Sequence, residues 1–378
     1  ALFHVIDLDA RATIKMLTNI DLSALLSSNN ATRGAAEAAL EAAQQSNAAG
    51  VASQLCTTLA DANGDPTSRV LCAVLLRRRL PGMLPSLSEE WRNSVKSKLL
   101  EAISSPCDRS LRSKICDTVG RIGVELMSKE SGLVNQANGR AVQAEAGWPE
   151  LMGFIMHACQ SGEPTAHEAA LSVLSHMAPA LVDPAGWAGV GAQLLQLLMA
   201  ALGDGMAPTV SGAALEAIAA LLTSAADQEG SADSAGERKK FKAVANDLQA
   251  ALPPMLHVLE LAVGASDPDR ITDVLSHLSS VAAAQPRLFK AVLPVVVEGL
   301  GQLATGDMLE PDARISCAEL LITLAEGAPK MCIKHNPFIP RMLGALLPML
   351  LRLGGDLKEW ETATPTDGLR EEDYEEEE

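Results

Sequence analysis

Pro66, Pro164, Pro208, Pro268 and Pro311 each precede the same apolar pattern: the residues six, seven, ten and fourteen places later are apolar in all five copies. They are Cys72, Ala73, Leu76 and Leu80; Ala170, Leu171, Leu174 and Ala178; Ala214, Leu215, Ile218 and Leu222; Val274, Leu275, Leu278 and Ala282; and Cys317, Ala318, Leu321 and Ala325. Such offsets lie on one stripe of an α-helix. Proline suits the first turn, where its missing N–H has no intrahelical partner to lose. The chain therefore repeats one amphipathic helix, and that helix needs a partner to cover its stripe.

The spacing of the prolines sets the architecture. Pro164 to Pro208 is 44 residues and Pro268 to Pro311 is 43, and Arg109 fits as an origin without proline, 43 residues after Pro66. Its apolar positions are Ile115, Cys116, Val119 and Gly123. Periods of about 40–47 residues built from helix pairs belong to HEAT and armadillo solenoids. The expected fold is all-α: a right-handed α-solenoid, or superhelix, of about eight HEAT-type helix pairs. Second helices are expected over 31–45, 66–80, 109–128, 164–178, 208–226, 268–283 and 311–327. First helices are expected over 17–27, 48–61, 88–104, 148–161, 185–203, 240–263, 287–304 and 336–353. Acids beside the prolines, as at Asp65, Asp267 and Glu310, read as helix N-caps.

Intervals of 55 residues from Arg109 to Pro164 and 60 from Pro208 to Pro268 call for insertions. The Gly-, Ser- and acid-rich stretches 129–147 and 227–236 read as those loops. Residues 1–16 stay unassigned. The layout is then repeats one to three over 17–128, a loop over 129–147, repeats four and five over 148–226, a loop over 227–239, repeats six to eight over 240–354 with the last incomplete, and an acidic loop over 355–378. A solenoid ending after the first helix of an eighth pair exposes an apolar face, so the chain reads as part of a longer protein.

Aromatic residues make up 3% of a chain that is 48% hydrophobic, so Ala, Leu, Val and Ile must build the core. Small side chains let helices approach closely. The seven cysteines show no C-x-x-C pair and no metal-type cluster, and three occupy apolar positions of the repeat, which suits buried free thiols in a reducing compartment. No run of 18 uninterrupted apolar residues occurs, so no membrane insertion is expected. Net charge is −17, of which −9 sits in residues 356–378. That balance disfavours direct nucleic-acid binding and favours basic proteins as partners.

The search for chemistry finds no catalytic set and no cofactor motif, so the chain is not expected to be an enzyme. His167-Glu168 begins a zinc-protease H-E-x-x-H, but Leu171 stands where the second histidine belongs. His157 and Cys159, two apart on a helix, point to different sides. Arg77, Arg78 and Arg79 end a repeat helix, where cations complement the helix dipole. Three adjacent arginines cannot share one stripe, so some must reach a neighbouring repeat or the concave face. The Arg238-Lys239-Lys240-Phe241-Lys242 run reads as a solvated helix opening. Trp360 and Tyr374 among the terminal acids suit a docking loop that stacks on Lys and Arg stems.

Four stretches then resemble a known family: LLSSNNATRGAAEAALEAA (25–43), SRVLCAVLLRRRL (68–80), WRNSVKSKLLEAISSP with LRSKICDTVGRIGVELM (91–127), and DLKEWETATPTDGLREEDYEEEE (356–378). Their order is similar to the N-terminal part of the importin-β (karyopherin-β) superfamily, in its importin five or karyopherin-β three branch. The resemblance implies a nuclear transport receptor, a monomer that shuttles between cytoplasm and nucleus. It would carry basic cargo such as ribosomal proteins or histones, bind nucleoporin phenylalanine–glycine repeats on its outer face, and release cargo to Ran-GTP. The Ran contacts it implies are Arg33, Arg69, Arg77, Arg78, Lys114, Asp117 and Arg121; the acidic-loop contacts are Trp360, Glu361, Asp373 and Tyr374. The alternative is a HEAT scaffold, such as a phosphatase scaffolding subunit, that binds no Ran.

Overall fold

The computed structural model describes residues 20–133, 148–306 and 309–353, and among these helices are the only regular structure. They form two compact units, one running through Met255 and the other from Leu256. The acidic-loop residues Trp360, Glu361, Asp373 and Tyr374, and residues 1–16, lie outside the described residues.

The first unit holds α1 (Leu22–Leu25), α2 (Asn30–Ser46), α3 (Ala48–Ala60), α4 (Pro66–Met83), α5 (Glu89–Ser104) and α6 (Arg109–Leu133). It continues through α7 (Pro149–Gln160), α8 (Pro164–Leu181), α9 (Pro184–Ala201), α10 (Pro208–Ser231) and α11 (Ala235–Leu248). After α12 (Leu252–Gly264), which crosses the boundary, the second unit holds α13 (Pro268–Ala284), α14 (Leu293–Thr305), α15 (Pro311–Gly327), α16 (Pro329–Lys334) and α17 (Phe338–Leu353).

Each proline-led helix begins at its expected proline. Asp65 accepts from the Ser68 N–H at 2.8 Å, Glu163 from Ala166 at 2.6 Å and Asp267 from Arg270 at 3.1 Å, so these caps occupy donors the helix leaves free. The Glu310 side chain makes no such bond. Of the twenty apolar positions of the repeat, nineteen are buried, and Ala325 is half-exposed beside the fully buried Leu324. The Arg109-led copy is buried at all four of its positions. A side chain such as Leu76 or Leu174, fully buried here, contributes about 1.5–3 kcal/mol by leaving water.

These buried stripes meet one another. In the first unit α4 packs on α6, α6 on α8 and α8 on α10; in the second α13 packs on α15. Close approach uses small residues: a Cβ on Gly120 of α6 would lie 2.4 Å from the His176 Cβ of α8. Within each unit the first helices of the pairs also pack together, α3 on α5 in the first and α14 on α17 in the second. Trp187 of α9 donates its indole N–H to Asp247 of α11 at 3.1 Å, and Arg341 of α17 meets Glu298 of α14 at 2.8 Å.

Three expectations need correction. The expected loop over 227–239 is mostly helical: α10 runs on to Ser231 and α11 starts at Ala235. Gln228 donates to the Pro179 carbonyl at 2.6 Å, one of the last carbonyls of α8 with no partner in its own helix. A capping box between Ser234 and Glu237 then starts α11 at once. The expected first helix over 240–263 is two helices, separated by a 3-10 turn over Gln249–Ala251. Pro253 and Pro254 cause the break, since their rings clash with the carbonyls four residues back and they offer no N–H. The expected loop over 129–147 is helical through Leu133, and residues 134–147 lie outside the described residues.

By length and composition α10 could cross a membrane, with a mean hydropathy of 1.4 in its most apolar window. Most of that window is buried against neighbouring helices, which is the position of a core helix. On α17, Ile339, Leu343, Leu347 and Leu350 form an exposed apolar stripe.

Candidate functional site on the repeat helices

The polar side of α6 carries one charged stripe. Lys114, Asp117, Arg121 and Glu125 recur at offsets of three, seven and eleven, so they stack along one helix face. Lys114 and Arg121 are exposed, and Arg121 meets Glu125 at 3.9 Å one turn on.

Asp117 joins this stripe to the helices on both sides. One carboxylate oxygen accepts from Arg77 of α4, and the other lies 4.0 Å from Nδ1 of His176 on α8. Three consecutive repeat helices are thus linked through a single carboxylate. Arg78 is exposed next to Arg77. Arg79 points the other way and donates to Gln44 of α2 at 3.0 Å. The three adjacent arginines therefore take three directions, two of them to neighbouring repeats.

The Arg77–Asp117 link has a counterpart further on. Arg77 stands eleven residues after Pro66 and Asp117 eight after Arg109, and Ser175 and Glu216 hold the same slots after Pro164 and Pro208. Ser175 donates to Glu216 at 3.2 Å. The repeat register thus places equivalent polar contacts at equivalent points of different helix pairs.

Two of the residues expected at a Ran contact sit elsewhere. Arg69 is 3% exposed and donates from Nε to the Leu59 carbonyl at 3.0 Å, so it holds α4 against α3 from inside. A guanidinium there presents no charge to a partner. Arg33 is half-buried and spends its donors locally, on Asn30 at 2.7 Å and the Ser27 carbonyl at 3.3 Å. Arg77, Arg78, Lys114, Asp117 and Arg121 lie together on α4 and α6, and His176 joins them from α8. Its signal was in the register: Arg78, Arg121 and His176 all stand twelve residues after their repeat origins.

Glu168 brackets α6 to α8 through Arg109 at 3.2 Å and Arg112 at 3.8 Å. His167 is buried with no partner on Nε2, and burial pushes its pKa down. Leu171 is fully buried. Burial pushes the Cys159 thiol up to about 11, which keeps it protonated, and His157 is exposed on another side of α7. No group of three or more His, Cys, Asp or Glu able to hold a metal occurs among the described residues.

Stacked helix pairs that expose a charged polar face have the build of a helical repeat protein. The family described as IPO5-like, TPR repeats matches residues 107–299, and the importin repeat matches 307–378. The chain belongs to this family, within the N-terminal part of the importin-β (karyopherin) superfamily, whose members are transport receptors and not enzymes. Its intervals of 43 and 44 residues exceed the TPR period of about 34.

Importin subunit beta-3 of Saccharomyces cerevisiae is 23% identical over 327 residues, 82% of this chain and 26% of that protein. The chain spans about a quarter of the length of this curated relative. The crystal structure of Kap121p bound to RanGTP matches with a TM-score of 0.70 at 22% identity, over 94% of this chain and 30% of that one. Kap121p bound to Nup53p matches with a TM-score of 0.69 at 23% identity, over 93% and 31%. The fold is that of a karyopherin solenoid.

Proposed function

We propose that this chain is part of a nuclear import receptor and that the charged face of α4, α6 and α8 receives Ran-GTP. The observation that carries the reading is the cluster of Arg77, Arg78, Lys114, Asp117, Arg121 and His176 on three consecutive repeat helices. Four cations stand around one carboxylate, which suits a protein partner that brings several acids and a base for Asp117. The relative Kap121p has been seen bound to RanGTP and to Nup53p. Family membership extends that reading to this chain.

Basic proteins such as ribosomal proteins or histones are the proposed cargo. The −9 charge of residues 356–378 supports that class, because a strongly acidic segment attracts basic clients at moderate salt. Trp360, Glu361, Asp373 and Tyr374 are its proposed anchors. Cargo release by Ran-GTP, contact with nucleoporin phenylalanine–glycine repeats, a monomeric state and shuttling between cytoplasm and nucleus complete the proposal.

A pull-down comparing Ran-GTP with Ran-GDP tests it. Preferential retention of the GTP form, reduced by Asp117→Arg, is the expected result. Equal retention of both forms, or none, favours the HEAT scaffold reading instead.

A further inference from the structure

A second charged surface lies on α11 and belongs to none of the contacts above. Arg238, Lys239, Lys240 and Lys242 are all exposed. At offsets of one and four, Arg238, Lys239 and Lys242 share one side of the helix. The segment is firmly held. Ser234 and Glu237 close a capping box with bonds of 3.1 and 3.3 Å, and Asp247 near the far end accepts from Trp187 at 3.1 Å. Arg238 donates from Nε and Nη2 to the Ala232 carbonyl, both at 3.1 Å. No ion pair joins Lys239, Lys240 or Lys242 to an acid among the described residues.

This placement opposes two local rules. Arg238 closes the first turn, at the positive end of the helix dipole, and the like charges of Arg238, Lys239 and Lys242, three and four apart, repel. Each lysine also stands unneutralised on a chain whose net charge is −17. A fixed, solvent-facing arrangement that works against its own helix is relieved by an anionic partner.

We propose that the Arg238–Lys239–Lys242 face of α11 is a docking surface for a short acidic peptide segment of a partner protein. Charge complementarity selects an anion, and the charge of the whole chain selects its size. A duplex or a membrane surface would extend its negative field over the acidic remainder of the protein, whereas a short peptide stays within a Debye length of the patch, about 10 Å at 0.1 M salt. The proposal stands apart from the Ran reading, since α11 shares no residue with that face.

Fluorescence anisotropy of a labelled octaglutamate peptide on the 378-residue chain tests it, with octaglutamine as the neutral control. Saturable binding that weakens with salt is expected, along with a loss on the order of tenfold in Lys239→Glu combined with Lys242→Glu. Far-UV circular dichroism and the melting curve of that variant should match or exceed wild type, because the change at Lys242 turns a repulsion with Arg238 one turn earlier into an attraction. Lys239→Gln with Lys242→Gln repeats the test without charge reversal and should also weaken binding. Arg78→Glu should leave it unchanged. Equal affinity in both lysine variants would overturn the proposal, as would an equal loss in Arg78→Glu. Tighter binding of duplex DNA or phosphatidylserine vesicles through the same lysines would overturn it too.

Discussion

Asp117 on α6 accepts a hydrogen bond from Arg77 on α4 while its second oxygen lies 4.0 Å from His176 on α8. Its carboxylate is held from both sides in the folded chain without being buried. Both partners keep solvent contact, with side chains 52% and 29% exposed for Arg77 and Asp117. An exposed pair contributes at most about 1 kcal/mol to stability. Asp117→Asn is therefore expected to shift urea unfolding only slightly. If the face binds Ran-GTP, the same change should lower that affinity on the order of tenfold, the effect of one lost charge-assisted contact. Titration calorimetry beside chemical denaturation separates the two effects.

Gly120 decides how closely α6 and α8 approach. A Cβ there would lie 2.4 Å from the His176 Cβ and 3.2 Å from the Val173 carbonyl oxygen, neither of them the movable end of a long side chain. Gly120→Ala must push the two helices apart, at a cost of about 1–3 kcal/mol despite the higher helix propensity of alanine. A lower urea midpoint with an unchanged slope would show it. A midpoint equal to or above wild type would refute it.

His167 links stability to pH. Burial pushes its pKa down in the folded chain, and its Nε2 has no partner there. Below the ordinary histidine pKa of about 6.5 the unfolded chain binds a proton that the folded chain does not. Its contribution is therefore lost as pH falls through 6.5 and stops changing once the folded imidazole also protonates. His167→Leu should flatten the stability profile between about pH 7 and 5 relative to wild type. Identical profiles for the two proteins would exclude this role.

The cysteines divide by burial. Cys56, Cys72, Cys116 and Cys317 are buried, and their thiols are pushed up to about 12, while Cys107 is half-exposed. Thiolate reagents near pH 8 should label Cys107 first and reach the buried four only on unfolding. Peptide mapping after a timed iodoacetamide pulse reads the order directly.

Asp267 caps α13 by accepting from the Arg270 N–H at 3.1 Å. Asp267→Ala should cost about 1 kcal/mol. Its effect is expected in the second unit, so hydrogen exchange should accelerate first in α13.

The amino-acid sequence alone determined where the repeat helices start and which stripe each buries. Those features depend on chemistry within a few residues: a proline that fits the first turn, and apolar offsets that share a face. The break before α12, absent from the expected single helix over 240–263, also has a local cause in Pro253 and Pro254, whose effect reaches only four residues back.

Only the tertiary structure decided where the polar side chains go. Arg69 and Arg77 are both arginines of α4, yet one turns inward to the Leu59 carbonyl and the other outward to Asp117. The expected loop over 227–239 is mostly helical, and its Gln228 reaches a carbonyl 49 residues earlier in the chain. The Arg77–Asp117 and Ser175–Glu216 contacts likewise join residues 40 and 41 apart. A helix specifies its own face through neighbours one turn away. Which residue of the next helix meets that face depends on the rotation and offset of two packed helices, and these are set by the buried core between them.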